Sequence, residues 1–212
     1  MKQMLPPTDR TTLRRLPDRG HYDRSLIDAI LDEGFICHVA FAVDGQPFAI
    51  PTSYVRSSDQ IYIHGSAASR LARGANDGID VCLTVTLVDG FVLARSAFHH
   101  SINYRSVVAL GRARLLLDPA EKIRALQRFT NHIVSDRWEE LRPPTDQELR
   151  ATAVLSLPIT EASAKVRSGP PLDDEKDYSS PIWAGVVPIH VSAGDPISDN
   201  RVLPGVAPFD AK

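Results

Sequence analysis

From Phe35 to Leu117 apolar positions alternate with polar ones or gather in short β-branched runs, a periodicity that predicts strands. FICHVAFAV and FAIPTSYV flank Asp44-Gly45, the arrangement of a β-hairpin closed by a tight turn. IYIHG supplies a third strand, and the chain then returns through a helix from about Ala67 to Asn76. Ile79 to Val88 and Phe91 to Ala97 read as two further strands joined through Asp89-Gly90, and Val107 to Leu117 as another. Ahead of them an amphipathic helix starts at Asp23, a good N-cap, carries Leu26, Ile27, Ile30 and Leu31 on one stripe, and ends at Gly34. Strands this dense, linked mostly by tight turns, predict a closed or partly closed antiparallel barrel.

The pattern changes after residue 117. Asp118-Pro119-Ala120-Glu121 combines an N-cap, a first-turn proline and a capping-box glutamate, and Ile123, Leu126, Phe129 and Ile133 recur at helical spacing. Thr145-Asp146-Gln147-Glu148 is a second capping box, and Ala153 to Ile159 reads as a strand rejoining the sheet. Glycine, proline and aspartate dominate from Ser168, leaving loop and a short VVPI strand. The expected architecture is mainly β: a barrel of six or seven strands with peripheral helices over residues 21–190, an N-terminal arm at 1–20 and a tail at 191–212.

Composition narrows the function classes. A chain of 212 residues with 43% apolar and 24% charged positions is an ordinary globular protein of one domain with appendages. A formal charge of -2 excludes a broad electrostatic footprint for nucleic acid. No apolar run approaches the ~20 residues of a membrane span, and the polar, proline-bearing start has no signal-peptide centre, so the expected location is cytoplasmic. Cys37 and Cys82 lie in apolar runs without a CxxC, as inert thiols do.

Three stretches carry candidate chemistry. In IYIHGSAASRLAR, residues 61–73, serines and arginines stand where a strand hands over to a helix; backbone donors, hydroxyls and a guanidinium there could grip a phosphate, or could serve only as cap and solvated surface. Residues 94–115, ARSAFHHSINYRSVVALGRARL, begin as a polar loop suited to lining a ligand pocket. His99-His100 has no HxH or HExxH spacing and no carboxylate close in sequence, and no GxSxG elbow surrounds Ser101 or Ser106, so neither a metal nor a nucleophile is expected. Residues 165–189 offer Lys165 and Arg167 two apart on a strand and Trp183 as either a packing or a cofactor-contacting aromatic.

FAIPTSYV, IYIHGSAASRLAR, NYRSVVALGRARL with its DPAEK helix, and KVRSGPP followed by WAGVVPI occur in an order and spacing that resembles the FMN-binding split-barrel group related to pyridoxamine 5'-phosphate oxidase, nearest its flavin-nucleotide-binding, nitroimidazole-resistance-like branch. The resemblance spans about residues 23–189. It implies a six-stranded antiparallel split barrel, a homodimer with flavin in two interface clefts, and FMN (FAD also admissible) as cofactor. It places Pro51, Thr52, Ser53 and Tyr54 along the flavin ring, with His64, Gly65 and Ser66 at the next strand's tip. Ser69 and Arg70 match the phosphate-holding Ser-Arg-Lys run, whose lysine is Leu71 here, with Arg73 one step away. Asn103, Tyr104, Arg105, Ser106 and Trp183 complete the implied set. The oxidase's C-terminal Arg-Leu-His-Asp-Arg run is missing after Trp183, which argues against vitamin B6 oxidation. The implied function is a flavin-dependent oxidoreductase acting on a small molecule. The alternatives are a non-catalytic flavin carrier or sensor, or a haem-binding split barrel using His64 or His99 as iron ligand.

Overall fold

A computed structural model describes residues 3–209; Met1 and Lys2 of the expected arm and residues 210–212 of the expected tail lie outside them. Helix α1 (Arg24–Glu33) begins where Asp23 accepts the Leu26 N–H at 3.1 Å and turns Ile27, Ile30 and Leu31 into the core. Gly34 ends it for a steric reason: a Cβ there would sit 2.6 Å from the Tyr54 hydroxyl. That hydroxyl donates to the Leu31 carbonyl at 2.6 Å, supplying a partner to an acceptor in the helix's last turn.

Strands β1 (Gly20–His21), β2 (Ile36–Val43), β3 (Gln46–Ser57), β4 (Gln60–Ser66), β5 (Ile79–Leu93), β6 (Ser101–Leu115), β7 (Thr152–Pro158), β8 (Glu161–Arg167) and β9 (Gly185–Pro188) are all antiparallel to their neighbours. Six of them close on themselves in the order β2–β3–β4–β7–β6–β5 and back to β2. The ring is uneven. β6 runs along β8 from Tyr104 to Leu110 and then leaves it, meeting β7 only at Arg114 and Leu115, and this divergence splits the barrel. Inward positions such as Val39, Ile61, Leu83, Val107 and Leu157 are buried, and alanines at 109, 113, 162 and 164 fit the crowded interior. The fold is the expected six-stranded split barrel with peripheral helices.

The β2–β3 hairpin turns at Asp44 and Gly45, both at positive φ (51° and 77°), as the Asp-Gly pair predicts. Helix α3 (Pro119–Ile133) starts at its Asp118 cap, and α4 (Asp146–Ala151) carries the complete Thr145–Glu148 capping box. Three expectations need correction. Asp89-Gly90 is not a turn but a bulge inside the fifteen-residue β5, where Gly90 lets β9 approach: a Cβ would lie 2.9 Å from the Val187 carbonyl. The polar stretch before Val107 is not loop, because β6 already starts at Ser101. The arm packs: Leu5 and Thr11 are buried, and Thr8 and Arg10 bond Glu161 of β8. Residues 191–209 have no helix or strand. No helix among the described residues is long and apolar enough to cross a membrane.

Tyr54→Phe keeps the ring and removes the bond to Leu31. It is expected to lower stability by about 1–3 kcal/mol, the cost of an orphaned buried acceptor. A lower urea midpoint at unchanged slope would show it.

Candidate cofactor-binding site

The register of β3 and β4 decides which candidate residues share a face. Tyr54 pairs with Ile63 and Val55 with Tyr62, so Tyr54 and Ile63 point into the barrel while Tyr62 and His64 point out. By the same alternation Pro51 and Ser53 share the outer face with His64 and Ser66, whereas Thr52 is turned the other way, toward the side that Tyr54 occupies. Tyr54 is core, and its phenol is spent on α1. Gly65 is exposed with open space above it.

Beyond β4 the chain makes only a five-residue helix, α2 (Arg70–Gly74), shorter than expected. The serines cap locally: Ser66 Oγ accepts from the Ala68 N–H and Ser69 Oγ from the Ala72 N–H, each at 3.2 Å. Arg70 is exposed, and its guanidinium carbon lies 4.0 Å from the centroid of the Phe48 ring. Stacking fixes the plane and leaves the N–H edge free, since no carboxylate pairs with Arg70 among the described residues. Arg70 is thus presented for an anion at the strand tip.

The second group lies on β6, separated from β3 by two strands in either direction around the ring. Alternation divides it. Asn103 and Arg105 face inward with Val107, while Tyr104 and Ser106 face outward with Ile102. Asn103 is buried, donating to the Gly169 carbonyl at 3.1 Å and accepting from Arg167. Arg105 is enclosed by carboxylates, with its Nη2 2.7 Å from Asp89 and 2.7 Å from Glu33, and those partners hold its proton more tightly than usual. Asn103 and Arg105 thus both make internal bonds, and Arg105 also lines a cleft of about 800 Å³ with Glu33, Phe35 and His190. Ser106 Oγ donates to the Lys165 carbonyl at 3.3 Å. Trp183 is 65% exposed and folds over Gly185, where a Cβ would meet its ring at 2.9 Å.

His64 borders a cleft of about 670 Å³ whose walls come from α3 and the segment after it: Leu126, Phe129, Ile133, Val134, Trp138 and Leu141. Its ring meets Phe129 edge-on with centroids 4.3 Å apart. Neither ring nitrogen is hydrogen-bonded among the described residues, and Nδ1 is completely buried. Burial lowers its proton affinity, so the imidazole is neutral at pH 7. Arg137 and Arg142 reach the cleft, paired with Glu140 and Glu148. Sequence reading singled out His64 but not this cleft; the helical stripe of α3 was its only signal. His99 sits differently. Ser96 Oγ is 2.7 Å from its Nδ1, and Asp174 and Asp177 stand beside it, so the carboxylate neighbours that sequence spacing denied are supplied by the fold. Cys37 is buried, its thiol pushed up to about 12 by desolvation.

Residues 23–166 match the family described as Pyridoxamine 5'-phosphate oxidase. The chain belongs to that family. Among solved structures, the flavocytochrome Anf3 from Azotobacter vinelandii is 46% identical over 97% of this chain and 96% of its own, with a TM-score of 0.91. The FAD and heme binding protein from Mycobacterium smegmatis is 34% identical over 91% of this chain and 94% of its own, at a TM-score of 0.86. A candidate 5-nitroimidazole antibiotic resistance protein from Bacteroides thetaiotaomicron, 23% identical over 69% of this chain and 86% of its own, shares the fold (TM-score 0.57). No curated protein matches the chain. Membership of the oxidase family fixes the barrel, while activity belongs to the site grafted on it.

The half-buried His64, whose proton affinity burial lowers, gives a pH test. As pH falls through about 6.5 the unfolded chain binds a proton that the folded ring resists, so this residue's contribution is intact above that pH and is lost below it. Native stability is expected to drop on acidification, and to drop less in His64→Leu. Urea midpoints on both sides of that pH measure the difference, and equal drops would locate the titration elsewhere.

Proposed function

We infer that this protein is a two-cofactor redox protein, holding a flavin nucleotide at the β3–β4 tip and haem in the His64 cleft. The observation that carries the reading is His64 itself: a neutral imidazole without a hydrogen-bond partner among the described residues, on the wall of an apolar cleft of ligand size. Such a ring is a ready iron ligand, and metal binding needs it unprotonated. Leu126, Phe129, Ile133 and Trp138 would cover the macrocycle and keep water away, while Arg137 and Arg142 at the rim are already paired with Glu140 and Glu148. His99 serves less well, since carboxylates rather than apolar walls surround it. Two relatives above 30% identity whose names join a flavin with haem support the same reading.

For the flavin, Pro51, Ser53, Gly65 and Ser66 form the outer strand surface and Arg70 the anion grip. Ser69 Oγ accepts from the backbone and still has its own proton to donate. Flavin supplies hydride and single-electron chemistry and haem supplies single-electron and oxygen chemistry, so the protein needs no nucleophile of its own. The outer face of β6 lies across the barrel from this surface, and only a second copy could bring Tyr104 and Ser106 to it. An apolar cross-strand row on that face, Phe91 opposite both Ile102 and Val187 with all three exposed, supports a homodimer. The substrate class is a small molecule reduced or oxidised at the flavin.

Two measurements test this. Protein as purified is expected to show flavin absorption and a haem Soret band, and His64→Ala to lose the Soret band while keeping flavin. A Soret band that survives would assign the iron to another ligand. Arg70→Ala is expected to weaken FMN by on the order of ten- to a hundredfold while leaving riboflavin, which has no phosphate, nearly unchanged. Equal losses for both would remove Arg70 from the phosphate site.

A further inference from the structure

The connection from β5 to β6 meets the segment between β8 and β9 at a group of metal-ligating side chains that neither cofactor site uses. His99 closes a 3-10 turn at Ala97–His99, while Asp174 precedes a second one, Glu175–Ser179, and Asp177 lies within it. A ring nitrogen of His99 and one carboxylate oxygen from each aspartate all fall within 4.8 Å of one another. His99 Nε2 is 3.9 Å from Asp174 Oδ1, too far for a hydrogen bond. With metal bonds of about 2.0–2.2 Å at tetrahedral angles, the same atoms would stand roughly 3.4 Å apart, so small side-chain rotations complete the set.

The donors are held ready for this. Ser96 Oγ stands 2.7 Å from His99 Nδ1. With Nδ1 as the donor, the Nε2 lone pair is left for a metal, as is usual for a ligating imidazole. Two anchors on Arg95 bracket the aspartates. Asp173 accepts the Arg95 N–H at 2.9 Å and its Nη1 at 3.0 Å, and the Tyr178 ring stacks on the guanidinium at 4.9 Å. The Asp177 carboxylate has no hydrogen-bond or ion-pair partner among the described residues. Apart from His99, Asp174 pairs there only with Lys176, at 3.9 Å on an exposed side chain, a contact that water screens. Two carboxylates cancel the charge of a divalent ion, and a neutral imidazole adds none.

We propose that His99, Asp174 and Asp177 bind a divalent transition metal, with water completing its coordination on the exposed Asp174 side. The imidazole favours zinc over magnesium, which prefers oxygen ligands throughout. The metal ties the β5–β6 connection to the segment that leads through Trp183 into β9. None of the three ligands lines the His64 cleft, so the site stands apart from the haem and flavin proposed above.

The test is calorimetric titration of Zn2+, Mn2+ and Mg2+ into the chelator-treated full-length chain, for wild type, His99→Ala, Asp177→Asn, Ser96→Ala and His100→Ala. Wild type is expected to take one zinc ion per chain, more tightly than manganese or magnesium. His99→Ala and Asp177→Asn are expected to lose that binding, and His100→Ala to keep it. Ser96→Ala is expected to weaken it by about ten- to a hundredfold. Tryptic cleavage after Lys176 is expected to slow with zinc in wild type and not in His99→Ala. Asp177→Asn keeps the side chain's shape, so a loss there with unchanged circular dichroism comes from the missing ligand. Zinc bound equally by wild type, His99→Ala and Asp177→Asn would belong to other histidines, and no zinc binding by wild type would leave the group without a metal; either result overturns the proposal.

Discussion

The register of β4 between β3 and β7 is the constraint on which the site depends. Ile61 and Ile63 take the inward positions of that strand, and burying them forces Tyr62 and His64 outward. A slip by one residue would put an imidazole in the barrel core and two isoleucines on the surface, exchanging favourable burial for an unsatisfied polar group. The core therefore specifies the site: hydrophobic packing on one face aims a neutral imidazole into a cleft on the other. The bond from Tyr54 to the last turn of α1 fixes β3 in the same frame, so the outer surface at Pro51 and Ser53 stands on a rigid strand.

Charge follows a second logic. Arg24, Arg56 and Arg105 close gaps between a helix end, a hairpin and a bulge, and each is matched by carboxylates. These arginines hold the fold through carboxylate pairs. At the barrel end where β4 stops and β7 starts, Arg70, Arg73 and Arg150 stand without a carboxylate partner among the described residues. A net charge of -2 hides this separation completely. It is the local imbalance, rather than the total, that would suit this end of the molecule to an anion.

What could be read from the sequence was whatever is settled by neighbours along the chain. Asp23, Asp118 and the Thr145–Glu148 pair cap helices through bonds three residues long, and Asp44-Gly45 turns because both residues accept positive φ. Asp89-Gly90 is the same dipeptide, yet it forms a bulge, because β9 arrives from the far end of the chain and needs the space that a side chain on Gly90 would fill. The same limit applied to function. Arg70 and Arg105 look alike in sequence, and only the fold shows that one is free while the other is enclosed by Glu33 and Asp89. His99 was read without acidic neighbours, and the fold brings Asp174 and Asp177 to it from another segment.

The two proposed cofactor sites meet on three consecutive residues. His64 faces the apolar cleft beneath α3, while Gly65 and Ser66 carry the strand on to the phosphate edge at Ser69 and Arg70. A strand advances about 3.3 Å per residue, so this arrangement sets both sites on one short, rigid segment. Electron exchange between them then needs no moving domain, and the strand pairing that buries Ile61 and Ile63 also sets their separation. Arg70 would serve the polar end of the flavin, whereas the apolar walls of the His64 cleft would shield the ring that would bind iron. A barrel without an acid–base pair is what such chemistry calls for, because the protein's share of the work is placement and shielding.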